Sequence, residues 1–386
     1  MGLDWTPEDG HVLRPVSPNG LHPNEITIAE VLKKAGYATA CIGKWHLGDQ
    51  PEFLPTRQGF DYFLGLPYSD DMTRATGQRI GERLRGKQWP LLPWIENEKV
   101  IESPADRNQM TQRETAAALK FIAANKAKPF FLYLPHNMPG SSRLPFSSGA
   151  FRGKSKNGAW GDAVEELDWA AGEILQALKK HKIDERTIVI WTSDNGAPRR
   201  NPPQGSNGPL GGWGYTTAEG GMRVPAIVRW PGFIPPNCTS DELSTLMDLL
   251  PTFSNLAGAK LPVRTIDGKN LWHTWGPANG KSPHEYFFYY HTQHLEAVRA
   301  ARWKMLLPHA PDRKLRRGVK RITEPRLFDL TTDAAERNDL AAKNPAVVKR
   351  LLAAANRAKT ELGDGERKGA NVRAVGRAKN PTARVK

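Results

Sequence analysis

The sequence predicts an α/β protein with a doubly wound, mainly parallel sheet, followed by a small C-terminal α+β subdomain. First, helix and strand patterns alternate through the first two thirds of the chain, as in proteins built from βα units. Second, the strand pattern at residues 187–192 is apolar on both faces, which is typical of a strand buried in a parallel sheet. Third, the strand patterns beyond about residue 280 follow one another without helices between them, which indicates antiparallel pairing.

The elements of the first part follow from local patterns in chain order. Thr27 and Glu30 have the spacing of a capping box, apolar residues follow at helical spacing, and Gly36 ends this helix. A strand of small and apolar residues comes next, at 38–42. The later elements are predicted as helix 107–124, strand 129–134, helix 164–178, strand 187–192, strand 224–230 and helix 241–257.

A long glycine-rich loop, about 196–221, interrupts this alternation, and we assign residues 1–280 to one large domain. Residues 281–362 form the predicted subdomain. Its strands are expected near 285–290, 297–307 and 326–330, with an amphipathic helix at 345–361 covering them.

The 386 residues are 39% hydrophobic and carry a formal charge of +15, concentrated near the C-terminus. The last 20 residues hold seven Lys or Arg and no acidic residue, so 363–386 is expected to be a basic disordered tail. No nucleic-acid-binding signature accompanies this charge, and no apolar run approaches the ~20 residues of a membrane span. The two cysteines, Cys41 and Cys238, provide no disulfide framework.

The N-terminus has no basic segment followed by an apolar one, so this chain shows no signal peptide. It begins as a loop rich in proline and glycine that leads into the first helix. We therefore expect the chain to begin within a domain.

Polar side chains follow three of the predicted strands at the carboxyl ends, where ligand sites of open α/β sheets lie. Lys44 and His46 follow the first strand, His136 the second, and Asp194 with Asn195 the third. Asp and Asn offer hard oxygen ligands for Ca²⁺ or Mg²⁺, and Lys and His are donors for an anion. Together they suit a sulfate or phosphate ester. The open alternatives are a structural histidine at a strand end and an Asp-Asn-Gly turn.

These residues lie in segments that resemble the sulfatase family. The stretch GYATACIGKWH, residues 36–46, is similar to the second signature of that family. Further similar segments occur in the family's order over about residues 20–360: GFDYF at 59–63, PYS at 67–69, TSDNG at 192–196, EGGMRVP at 219–225, RWPG at 229–232, WK at 303–304 and LFDL at 327–330.

The resemblance implies an alkaline-phosphatase-like α/β fold and hydrolysis of sulfate esters with a divalent cation, usually Ca²⁺, with Mg²⁺ as the alternative. By position, Asp194 and Asn195 would be metal ligands. Lys44 and His46 would contact the sulfate and the catalytic aldehyde hydrate. The other assigned positions are Ser69 in the sulfate pocket and His136 as a catalytic residue. In the loop before Glu219, Trp213 or Tyr215 would stack on a substrate ring, and the alternative is that these aromatic residues only pack the loop.

The chain departs from the family pattern at three places. The Cys/Ser-x-Pro-Ser-Arg motif that yields the family's formylglycine is absent, and so is the family's first metal-binding aspartate pair. Gly140 stands where many relatives have a second histidine after the strand that ends near 134. The loop before Glu219 lacks the family's lysine, and Trp213 or Gly214 takes that place.

These departures suggest an N-terminally truncated sulfatase, and we expect the isolated chain to be inactive. A sulfated small molecule or carbohydrate is the expected partner, with neither nucleic acid nor membrane, and the oligomeric state is not predicted. Export of the full-length protein to the periplasm or the medium is implied by the resemblance. The alternative is a non-catalytic module that binds sulfated glycans or anions on the same fold. A third hypothesis is a phosphoesterase of the same superfamily that uses zinc, although no zinc ligands are apparent in the sequence.

Overall fold

A computed structural model describes residues 12–74, 89–140, 145–201, 203–275, 280–309 and 321–385. The described residues form two compact units that are interleaved in sequence. The N-terminal unit comprises 12–187, 249–266 and 374–385, and the C-terminal unit comprises 188–248 and 267–373. The sequence patterns predict domain boundaries near residues 280 and 362.

The N-terminal unit is built on a five-stranded sheet with the strand order β5-β4-β3-β2-β6. The strands β2, β3 and β6 are parallel, whereas β4 and β5 form an antiparallel edge. The bounds are β2 Ala38–Lys44, β3 Tyr62–Leu66, β4 Trp94–Glu96, β5 Lys99–Glu102 and β6 Phe130–Tyr133; a short β1, Asn19–Gly20, lies outside this sheet.

Helices cover both faces of this sheet. Successive side chains of β2 point to opposite faces, so each face presents apolar residues for a helix to pack against. The helices of the unit are α1 Ile28–Lys34, α2 Met110–Asn125, α3 Gly158–Lys180 and α5 Leu249–Leu256. Cys41 packs with Ala29 of α1 on one face. Ile42 packs with Ala118 of α2 and Ile174 of α3 on the other. This double winding confirms the predicted fold class.

The C-terminal unit contains an antiparallel sheet of order β12-β11-β10-β9 with helix α7 packed against it. Its elements are β9 Phe287–His291, β10 His294–Ala300, β11 Trp303–Leu306, β12 Arg326–Asp329 and α7 Pro345–Leu362. Leu295, Met305 and Leu327 of the sheet form one apolar cluster with Leu351 and Ala355 of the helix.

The same unit holds a two-stranded antiparallel sheet of β7 (Val189–Thr192) and β8 (Ala226–Arg229), together with the short helices α4 (Glu219–Met222) and α6 (Trp272–Trp275). The expectation of a parallel strand buried on both faces at 187–192 is wrong, because β7 pairs antiparallel with β8 and Trp191 is 46% exposed. The helix expected at 241–257 is shorter, with α5 beginning only at Leu249. The buried Asp248 carboxylate accepts the Thr245 and Lys269 N–H groups, and this holds the preceding residues in a turn.

The expectation of a disordered basic tail differs from the structure. The strand β13, Gly376–Arg377, pairs with β1, and the Gln50 side-chain amide exchanges two hydrogen bonds with the main chain of Thr382. The main chain of the tail therefore finds partners in the N-terminal unit despite its charge. No helix among the described residues is both long and apolar enough to span a membrane.

Candidate active site

The carboxyl end of β2 is held against the end of β6 by the backbone of Lys44. The Lys44 N–H donates to the Pro135 carbonyl at 2.7 Å. A Cβ atom at Gly43 would lie 2.1 Å from that carbonyl oxygen, and Gly43 has φ +123°. Only glycine allows this approach, so Gly43 sets Lys44 next to the loop that carries His136.

The two residues after Lys44 are bonded to the end of β3. The N–H groups of Trp45 and His46 donate to the carbonyls of Leu66 and Pro67 at 2.9 and 3.1 Å. His46 has φ +60°, and its Nε2 lies 3.0 Å from the Leu13 carbonyl. Because a carbonyl oxygen only accepts, Nε2 of His46 carries a proton. We call residues 44–46, fixed in this way, the anion lip.

His136 forms a dyad with Glu114 of α2, a residue that the sequence analysis did not single out. Glu114 is fully buried; it accepts from His136 Nδ1 at 2.7 Å and from the Asn137 amide at 2.6 Å. The carboxylate therefore fixes the Nδ1–H tautomer of His136 and leaves Nε2 as the other reactive nitrogen. Burial, assisted by Glu114, raises the pKa of the Cys41 thiol well above its ordinary value, which makes it a poor nucleophile.

Ser69 follows β3 and is buried beside Asp70, whose carboxylate lies 4.0 Å from the Arg107 guanidinium. Gly140 has φ +65°, and a Cβ atom there would lie 2.6 Å from Asp70 Oδ1. A histidine at position 140 thus conflicts with both backbone and neighbour. The structure thus gives a physical reason for the glycine at this position. The sequence does not reveal this reason, because Asp70 lies 70 positions earlier and only folding brings it close.

In the C-terminal unit, Asp194 and Asn195 form the turn that follows β7. Asp194 is exposed, and Asn195 donates its amide nitrogen to the Gly196 carbonyl at 3.0 Å, which directs Oδ1 away from that carbonyl. The turn is tied to α4, because the Gly196 N–H donates to the Gly221 carbonyl at 3.1 Å. Two adjacent oxygen donors thus project from a fixed backbone.

The donor chemistry of this turn fits a hard cation. A carboxylate and an amide oxygen are the ligands that Ca²⁺ or Mg²⁺ prefers, although Ca²⁺ takes about six to eight oxygens. Within the described ranges, no group of three or more His, Cys, Asp or Glu is arranged to hold a metal. The two oxygens of Asp194 and Asn195 are fewer than the ligands that either cation takes, so this turn by itself does not complete a cation site.

Trp213 lies in the glycine-rich loop, which is ordered around the same turn. The Gly214 N–H donates to the Ala197 carbonyl at 2.9 Å, and the Trp213 carbonyl accepts from the Thr216 hydroxyl at 2.7 Å. Trp213 is half-buried, whereas Tyr215, with φ +66°, is 54% exposed. Both aromatic residues of this loop thus have surface available for a ring to stack on.

The structure brings four of the sequence-predicted site residues to one sheet edge in the N-terminal unit: Lys44, His46, Ser69 and His136. It places three in the loops after β7 in the C-terminal unit: Asp194, Asn195 and Trp213. The residues that local reasoning missed are buried charges that hold these loops: Asp70, Arg107, Glu114, Lys304 and Glu336.

Comparison with known proteins supplies the family. Residues 6–259 match the family model "Sulfatase", and residues 282–381 match "C-terminal region of aryl-sulfatase". The chain is 34% identical to the steryl-sulfatase of Mus musculus over 417 residues, covering 86% of this chain and 66% of that protein. It is 37% identical to the N-acetylgalactosamine-6-sulfatase of the same species, covering 74% and 55%.

Among solved structures, the PsFucS1 sulfatase from Pseudoalteromonas sp. superposes with a TM-score of 0.75 and 27% identity, covering 87% of this chain and 73% of that one. The chain thus spans somewhat less than two thirds of the length of the curated relatives that it matches. The first family model matches more than half of this chain. On this evidence, the protein belongs to the sulfatase family.

Proposed function

We propose that the protein hydrolyses sulfate esters and that this chain contributes the anion-binding side chains and part of the cation site. The carrying observation is the anion lip. Its residues, Lys44 to His46, resemble the family signature, and their backbone is bonded to the ends of two neighbouring strands. A cation and an imidazole carried on a fixed backbone are suited to stabilise a charge that develops during the reaction.

The side chains of the lip and of the His136 dyad have distinct roles in this proposal. Lys44 supplies a positive charge for a sulfate oxygen. Because Nε2–H of His46 donates to the Leu13 carbonyl, Nδ1 is its remaining ring nitrogen, and Nδ1 would donate to a sulfate oxygen when the ring carries both protons. His136, oriented by Glu114, uses Nε2 to exchange a proton with the leaving oxygen.

Asp194 and Asn195 would hold the divalent cation, Ca²⁺ or Mg²⁺, which supplies charge neutralisation for the sulfate group. The donor chemistry of the turn and the resemblance to the family support this assignment.

The nucleophile is the part that this chain does not supply. Neither cysteine is followed by Pro-Ser-Arg, and Cys41 is buried in the middle of β2. We therefore expect the chain by itself to bind a sulfated ligand without turning it over, because loss of the nucleophile leaves only residual catalysis.

A binding module is the second candidate, and the Asp70–Gly140 contact favours it. Gly140 stands where relatives of the resembled pattern have a histidine, and the neighbouring Asp70 is a buried carboxylate, so the anion site has one cationic side chain fewer. Under this alternative the same lip binds a sulfated glycan, and no longer form of the protein hydrolyses it.

The proposed substrate is a sulfated small molecule or carbohydrate. Two curated relatives are named for a steroid and for an amino sugar, so family membership does not choose between them. The aromatic surface of half-buried Trp213 and exposed Tyr215 favours a substrate with a ring that stacks there. We also propose a periplasmic or secreted location, which fractionation of the source cells tests.

The test combines binding and turnover. N-acetylgalactosamine 6-sulfate and p-nitrophenyl sulfate are titrated into the chain with Ca²⁺ by calorimetry. Lys44→Ala is expected to weaken binding about tenfold or more, as for loss of a charged hydrogen bond. Lys120→Ala, which removes an exposed lysine of α2, is the matched control.

Sulfate release is then assayed for this chain and for the longest reading frame that contains it. Release by the longer form supports the hydrolase, and binding without release by either form supports the binding module. Binding that Lys44→Ala and Lys120→Ala leave equally unchanged would contradict both candidates.

A further inference from the structure

The C-terminal unit contains a lysine that is entirely buried. The Lys304 side chain, on β11, is 0% exposed, and its Nζ lies 3.0 Å from Glu219 Oε1 and 2.9 Å from Glu336 Oε1. It also donates to the Thr217 carbonyl at 2.7 Å and stands 4.2 Å from the centre of the Tyr289 ring. A buried ammonium group is tolerated only with such complete pairing.

Glu219, the first residue of α4, is held at both its side chain and its backbone. Its carboxylate accepts from the Tyr289 hydroxyl at 2.8 Å as well as from Lys304, and its own N–H donates to Glu336 Oε2 at 2.7 Å. Burial alone raises the pKa of Glu219, but Lys304 and Arg299 together hold it below its ordinary value. Glu219 is therefore a carboxylate locked into a charged cluster.

The helix that Glu219 begins forms the surface on which the Asp194–Asn195 turn lies. The Gly221 carbonyl accepts the Gly196 N–H. A Cβ atom at Gly196 would lie 1.8 Å from the Gly220 carbonyl oxygen, and one at Gly220 would lie 2.6 Å from the Gly211 carbonyl oxygen. The backbones meet too closely for any side chain, so a shift of α4 displaces the turn directly.

We propose that Lys304 and Glu219 are positioning residues for the cation-binding turn. The buried ion pair fixes α4, and α4 fixes the backbone that aims Asp194 and Asn195. On this view the antiparallel sheet of the C-terminal unit, which provides no ligand, controls the geometry of the cation site through one side chain. The proposal rests on the proposed function only for the role of Asp194 and Asn195 as ligands.

The test separates local positioning from general stability by amide hydrogen exchange. Glu219→Gln keeps the size of the side chain but removes its charge. Exchange in peptides covering 194–198 is expected to accelerate at least about tenfold, as for loss of a hydrogen bond to a charged group. The amides of β10 are expected to keep their rates. Glu242→Gln, which removes the partner of the exposed Lys281 in the same unit, is the matched control.

The double variant Lys304→Met/Glu219→Gln removes one charge of each sign. Because neither partner of the pair is left charged without the other, this variant is less prone to unfold than one that removes a single charge. It is expected to retain the protection of β10 while the turn still exchanges faster. Unchanged exchange at 194–198 in both variants would overturn the proposal. Equal acceleration in β10 and in the turn in both variants would overturn it too, because the pair would then serve the whole unit.

Titration of the same variants with Ca²⁺ alone tests the ligand role separately. If the unsubstituted chain binds Ca²⁺, weaker binding by Glu219→Gln supports the positioning proposal, and equal binding contradicts it. If no protein binds Ca²⁺, the part of the proposed function that concerns Asp194 and Asn195 fails. The exchange experiment still decides whether Lys304 and Glu219 position the turn.

Discussion

Replacing Glu114 by Gln tests whether the carboxylate sets the proton position on His136. In the structure, Glu114 accepts from His136 Nδ1 at 2.7 Å and from Asn137 at 2.6 Å. Gln keeps an oxygen for Asn137 but turns an N–H₂ group toward His136. Two donors cannot face each other, so we expect the neutral imidazole to change from the Nδ1–H to the Nε2–H tautomer.

The stability change follows from the bond that is exchanged. A hydrogen bond to a charged group contributes about 1.5–3 kcal/mol and a neutral one about 1 kcal/mol, so Glu114→Gln is expected to cost about 0.5–2 kcal/mol. Water cannot replace the lost hydrogen bond, because the Glu114 side chain is fully buried. In the Nε2–H tautomer, Nε2 of His136 carries a proton and has no lone pair to accept another. His136 then no longer acts as a base through Nε2 in turnover.

Long-range ¹H–¹⁵N spectra of the histidine rings report the tautomer, and urea denaturation reports the free energy of unfolding. Glu165→Gln, on the exposed side of α3, is the matched control. An unchanged His136 tautomer in a folded Glu114→Gln protein would refute the reasoning, because it would show that the carboxylate does not fix the ring.

Three further predictions concern the loops, the tail and the buried charges. Gly140→His is expected to destabilise the protein by about 1–3 kcal/mol in thermal melts, because of its positive φ and the nearness of Asp70. Deleting 374–386 is expected to cost at least about 2 kcal/mol in urea denaturation, since the two Gln50 bonds to Thr382 contribute about 1 kcal/mol each. The lowered pKa of Glu219 stabilises the fold above its ordinary value of 4.5, and this contribution is lost as the pH falls through the folded-state pKa. The melting temperature of Glu219→Gln is therefore expected to fall less steeply than that of the unsubstituted protein as the pH is lowered below 4.5.

Each of these has a control within the chain. Gly149→His enters open space with no positive φ, so a loss as large as that of Gly140→His would contradict the strain argument. An unchanged midpoint after deletion of 374–386 would restore the expectation of a disordered tail. If Glu165→Gln reduces the loss of stability at low pH as much as Glu219→Gln does, the buried ion pair is not the cause of that pH dependence.

Features that depend on neighbours in sequence were predictable from the residues alone. The Thr27–Glu30 capping box is confirmed, with both of its hydrogen bonds present, because all its partners lie within four positions. The strand predicted at 38–42 is also confirmed, since an apolar run before Gly43 already indicates a buried strand, although the structure extends it to Lys44. Alternation of such local signals is what predicts the α/β class.

Features that depend on distant pairs were decided only by the tertiary structure. Glu114 meets His136 across 22 positions, and Lys304 meets Glu219 across 85. The sequence shows that these residues are charged but not that folding removes them from water. Once a charged group is buried, it must be paired and hydrogen-bonded, and only the tertiary structure shows with which residue. The tail shows the same limit in reverse, because its composition indicates disorder while backbone pairing with Asn19 and Gly20, more than 350 positions away, orders it.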